Sequence, residues 1–125
     1  MKLVVPETET EALLSRLGAG EGLASSVLAA IEVPRAARRA SDDPEVHARA
    51  GQVVAAIDLL SLGPEVRELA ARLAPIALRS LEAVHLASAL AVADHVTAFV
   101  AYDERLAEAA ADAGLDVIAP GARVR

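Results

Sequence analysis

A chain of 125 residues, 54% of them hydrophobic, is long enough to bury one core and too short for two, so a single domain is expected. The formal net charge of −6 argues against a broad nucleic-acid-binding face and leaves room only for local basic patches. The absence of cysteine excludes disulfides and thiolate metal sites, and the longest uncharged run of the central stretch, Ala83 to Ala93, is too short to span a bilayer. No signal peptide precedes the first charged segment, so the expectation is a cytoplasmic protein with no membrane partner.

Met1 to Val5 is a short apolar start. Pro6 followed by Thr8-x-x-Glu11 resembles a capping box that opens a helix through Leu17, and Gly18, Gly20 and Gly22 end it. Leu23 to Ser26 reads as a weak strand, after which Ser26 can cap a helix from Val27 to about Arg39 that Pro34 is expected to kink. Asp43 before Pro44 is a helix start, with Val46, Ala50, Val53, Val54 and Ile57 following at helical spacing. A strand is expected over Leu59 to Leu62. Gly63-Pro64 starts the next helix, with Val66, Leu69, Ala70 and Leu73 on one face, and Pro75 closes it.

The central helix begins near Ser80. From Leu81 to Ala93 it is apolar on most sides, the pattern of a helix with little water around it, and the exceptions are Glu82, His85 and Ser88. Thr97 to Ala101 then reads as a buried strand whose exit through Tyr102 leads into Asp103 and a helix to Ala113. Gly114 stops that helix, and Leu115 to Ala119 is the last strand before Pro120-Gly121. Strands alternating with helices call for an α/β fold with a parallel sheet covered on both faces, and no internal repeat or low-complexity segment breaks the pattern.

Four features can carry chemistry, and each alone has an ordinary explanation. Glu32 is an acid in the apolar half of a helix that follows a strand, and a solvated helix residue would look the same. Glu82-x-x-His85 matches half of a di-iron bundle motif, but there is no second copy, so His85 is expected to be a hydrogen-bonded core histidine rather than a metal ligand. Asp103 with Glu104 suits a helix N-terminus through the dipole alone. Arg35, Arg38 and Arg39 form a basic helical face that is either solvated surface or a phosphate contact.

Together these residues carry a resemblance. The segments LASSVLAAIEVPRAARR, LRSLEAVHLASAL and FVAYDERLAEAAADAGLDVIAPG resemble, in order and spacing, the PIN-domain ribonucleases of the VapC toxin type, from Lys2 to Gly121. The resemblance implies a three-layer α/β/α PIN-like domain that gathers acidic residues at one edge of a parallel sheet to hold Mg²⁺ or Mn²⁺ for RNA cleavage. It implies the toxin role in a type II toxin-antitoxin system, a cognate antitoxin as partner, RNA as substrate and a homodimer. Carried over by motif, Glu32, Glu82 and Asp103 are the implied metal-holding catalytic residues, with Glu82 standing where the family most often has Asp. Arg35, Arg38 and Arg79 are candidates for steering RNA. The chemistry is physically coherent: Mg²⁺ takes oxygen ligands, usually one or two carboxylates plus waters and substrate phosphate, and crowded carboxylates disfavour ionisation unless a cation is bound. Such a site lowers the pKa of a water and needs no nucleophilic side chain.

Two departures stand out. Glu82 keeps the charge but adds a methylene. Family members begin with a central strand ending in Asp, which the chain from MKLVVPE does not contain, so the first strand and its acid are expected to be missing and the sheet to show a gap between Leu23–Ser26 and Thr97–Ala101. The corresponding expectation is an N-terminally truncated domain whose true start lies upstream of Met1. Three classes stay open at this level: a metal-dependent ribonuclease toxin, a catalytically impaired module that titrates an antitoxin, and a different small α/β protein. The last is disfavoured because no glycine-rich phosphate loop, nucleophile elbow or dinucleotide fingerprint occurs.

Overall fold

The computed structural model describes residues 1–5 and 22–119. Five short strands, β1 (Lys2–Val4), β2 (Leu23–Ser26), β3 (Asp58–Leu60), β4 (Ala98–Val100) and β5 (Val117–Ile118), form one sheet in the order β3-β2-β1-β4-β5. Every pair is parallel. The helices are α1 (Ala29–Ala40), α2 (Pro44–Ala55), α3 (Pro64–Arg72), α4 (Ser80–Ala91) and α5 (Glu104–Asp112), with a 3₁₀ turn at Ala93–His95. The helix expected between Pro6 and Leu17, with its Thr8 and Glu11 capping box, and the Pro120-Gly121 end lie outside the described residues.

Alternation along the strands sends neighbouring side chains to opposite faces and so builds two cores. Leu3, Val5, Phe99 and Ala101 pack with Ala83, Leu86 and Ala89 of α4 and with Leu106, Ala109 and Ala110 of α5. Val4, Leu23, Val100 and Tyr102 pack on the other side with Ala29 of α1, Val53 of α2 and Ile57. The result is the three-layer α/β/α arrangement, with α1 against α2 on one face and α3 against α4 on the other.

The expected gap in the sheet is not there. Lys2–Val4 lies between β2 and β4, with Leu3 opposite both Ala24 and Phe99. Lys2 N–H donates to the Gly22 carbonyl at 3.0 Å, Val5 N–H to Val100 at 3.1 Å, and Thr97 N–H to Met1 at 2.8 Å. The physical reason is the demand of the neighbouring strands: a vacant centre would leave β2 and β4 with rows of buried unpaired groups, each costing about 1–3 kcal/mol. An apolar segment ending in two β-branched valines meets that demand on both sides. It brings no acid, however, because the strand exits through Val5.

Helix starts follow local chemistry. Asp43 accepts from Glu45 N–H at 2.9 Å with Pro44 in the first helical turn, and Pro64 opens α3 after Gly63. Ser26 acts one step earlier than expected: its Oγ accepts from Leu28 N–H at 3.2 Å, in the turn that precedes α1. Pro34 sits inside α1, which continues through it as one element to Ala40. Gly114, at φ +95°, takes the left-handed conformation that ends α5.

Candidate functional site

A cleft of about 340 Å³ is lined by Val5 at the exit of β1, Glu32 in the first turn of α1, Arg79 to Glu82 and His85 at the start of α4, and Asp103 and Leu106 at the start of α5. These positions share one physical origin. In a parallel sheet the strands end, and the covering helices begin, along the same edge, where open α/β folds place their sites. Glu32, Glu82 and Asp103, far apart in sequence, therefore meet in one cleft.

Each carboxylate is tethered by one oxygen. Glu32 Oε1 lies 2.6 Å from His85 Nε2, a link between helices on opposite faces of the sheet. An ionised carboxylate only accepts, so the hydrogen-bond network assigns the proton to Nε2. The Glu32 side chain is 25% exposed and that of His85 is 2% exposed. Glu82, third residue of α4, accepts from Arg79 N–H at 2.9 Å. This is half of a capping box; the reciprocal half is closed to an arginine, whose guanidinium has no acceptor. Asp103 caps α5, its Oδ1 accepting from Leu106 N–H at 3.0 Å. All three charges thus sit at the cap or in the first turn of a helix, where the dipole favours them. The carboxylates make no other hydrogen bond among the described residues, so the second oxygen of each has no partner there.

That donor set is hard, anionic and oxygen-only, which suits Mg²⁺ or Mn²⁺. Among the described residues no three His, Cys, Asp or Glu side chains converge closely enough to cage an ion. Mg²⁺ does not require a cage, since it is held by one or two carboxylates and keeps several waters.

Of the arginines singled out in the sequence, Arg79 lines the cleft, whereas Arg35 and Arg38 are exposed further along α1 and do not. His85 packs internally as expected, 1% exposed. Its partner was not legible, because the two residues stand 53 positions apart. Val5, Ser80, Leu81 and Leu106 are also cleft residues that sequence reasoning did not select. Val5 had a signal, the end of an apolar run at a strand exit, but it carries no group that marks chemistry.

No protein-family model matches the chain, and no solved structure matches it. Curated proteins do. The chain is 38% identical to ribonuclease VapC47 of Mycobacterium tuberculosis (strain CDC 1551 / Oshkosh) over 125 residues, which cover 97% of this chain and 91% of the relative. It is 39% identical to ribonuclease VapC46 of Mycobacterium tuberculosis (strain ATCC 25618 / H37Rv) over 121 residues, 96% of this chain and 91% of the relative. Ribonuclease VapC35 from the same species is 38% identical over 125 residues, with 97% and 91% covered.

Proposed function

The chain belongs to the family of VapC ribonucleases, and from that premise we propose that it is a metal-dependent endoribonuclease, the toxin of a type II toxin-antitoxin system. The observation that carries the proposal is the meeting of Glu32, Glu82 and Asp103, from three separate helices, in one cleft at the sheet's carboxyl edge. In this proposal the three carboxylates hold Mg²⁺ or Mn²⁺. When bound, the ion lowers the pKa of a water and offsets charge on the scissile phosphodiester.

The chain's own residues do the rest. Backbone amides at the starts of α4 and α5 and the imidazole of His85 each hold one carboxylate oxygen, leaving the second directed to ligand binding. Arg79 supplies positive charge at an otherwise acidic cleft and is the proposed first contact for an RNA phosphate, with Arg35 and Arg38 extending that contact along α1. The proposed partners are RNA, a cognate antitoxin and a second copy of the chain, and the proposed compartment is the cytoplasm. No helix among the described residues is long and apolar enough to cross a membrane.

Val5 favours a second proposal. It brings a hydrocarbon to the strand exit where the family resemblance implies an acid, which fits a catalytically impaired module that binds or titrates an antitoxin. Cleavage of RNA by the purified chain with Mg²⁺ or Mn²⁺, abolished by chelation and restored by metal, supports the nuclease. Antitoxin binding without cleavage supports the module. We further treat residues 1–125 as one PIN-like domain.

A further inference from the structure

The imidazole of His85 is buried at a cost that packing does not explain. Its Nδ1 has no hydrogen-bond partner among the described residues, and its neighbours on α4 include the fully buried Leu86, Ala87 and Ala89. A phenyl or isobutyl group would fill that volume without a stranded nitrogen. The one polar contact that the ring makes among the described residues is the 2.6 Å bond from Nε2 to Glu32 Oε1, and both residues line the cleft. With the His85 side chain 2% exposed, little water competes for that bond. Glu32 itself is anchored by nothing else among the described residues, whereas Glu82 and Asp103 are held by backbone amides of their own helices.

We propose that His85 is a positioning residue for Glu32: it reaches from the helix layer on one face of the sheet to hold Oε1, and so presents the other carboxylate oxygen to a divalent cation. This rests on the nuclease proposal and adds to it the group that sets the geometry of its least constrained carboxylate. Ligating carboxylates depend on such supporting hydrogen bonds, and a long Glu side chain without one samples rotamers that turn it away. A purely structural histidine tying two layers together would leave cation binding unaffected when replaced.

The test is Mn²⁺ binding by the full chain, measured by titration calorimetry with MnCl₂, beside the melting temperature without metal. His85→Phe keeps the volume and removes the donor. His85→Gln places an amide nitrogen near the position of Nε2, and His85→Asn has the same chemistry but is too short to reach Glu32. The expected result is loss of Mn²⁺ affinity by about 10–100-fold in the Phe and Asn variants. The Gln variant retains affinity close to wild type, and the Phe variant is at least as stable as wild type because the stranded nitrogen is gone. If the Phe variant folds poorly, the Gln and Asn pair at matched stability decides. Wild-type affinity in both the Phe and Asn variants, or in Asn alone where Phe fails to fold, overturns the proposal and leaves a structural histidine. A folded wild-type chain that binds no Mn²⁺ overturns it differently, because the metal-dependent nuclease proposal then fails first.

Discussion

Substitution of Asp103 separates two jobs assigned to one carboxylate, the observed cap of α5 through Oδ1 and Leu106 N–H and the proposed metal contact in the cleft that the residue lines. Asp103→Ala removes both. Loss of an N-cap acceptor costs about 1 kcal/mol, and a chain of this length has an unfolding entropy of about 0.26 kcal/mol/K, so melting falls by about 4 °C. Asp103→Asn keeps the acceptor, since Asn caps as well as Asp. It loses a dipole interaction of about 0.3–1 kcal/mol, which the Ala variant loses as well, so the expected shift is about 1–4 °C and smaller than that of Asp103→Ala. RNA cleavage with Mn²⁺ should fall in both variants by more than about 100-fold, since an outright lost ligand costs at least as much as a lost supporting contact. The assays are thermal melting by circular dichroism without metal and cleavage of a labelled RNA. Equal melting of the Asn and Ala variants would refute the capping role, and wild-type cleavage by the Asn variant would refute the metal role.

Glu82→Gln should melt like wild type, because the amide oxygen still accepts from Arg79 N–H, while Mn²⁺ affinity measured by calorimetry falls. Arg79→Ala should weaken binding to single-stranded RNA and lower the slope of log K against log salt by about 0.7, with smaller effects for Arg35→Ala and Arg38→Ala, which lie outside the cleft. Leu3→Ala empties a fully buried site in the central strand and should cost about 2–5 kcal/mol, or about 8–20 °C of melting temperature. An unchanged melting curve would remove Lys2–Val4 from the sheet's centre.

The parts of the fold that local chemistry dictates were legible. Asp43-Pro44 and Gly63-Pro64 start helices where they stand, Gly114 ends one, and the apolar run after Ser80 is a buried helix. The central strand was not legible, because three residues show no alternation and the pairing of Lys2–Val4 is imposed by strands far along the chain that need a partner. The site divides in the same way. Glu32, Glu82 and Asp103 were visible as acids set against apolar surroundings and through family resemblance, whereas no periodic pattern marks the bond between Glu32 and His85. The exposure of Arg35 and Arg38 on α1 is a matter of helix phase relative to the cleft, which the sequence fixes only once the packed face is known.

The most direct measurement is RNA cleavage by wild type and by the triple variant Glu32→Gln, Glu82→Gln, Asp103→Asn, at equal folded concentration, with Mn²⁺ and after chelation. The three amides preserve the tethering acceptors and remove the three carboxylates that line the cleft among the described residues. Metal-dependent cleavage by wild type, with none by a triple variant that still melts cooperatively, is the predicted result. Cleavage by the triple variant, or cleavage by wild type that survives chelation, would contradict the assignment of nuclease chemistry to these three residues.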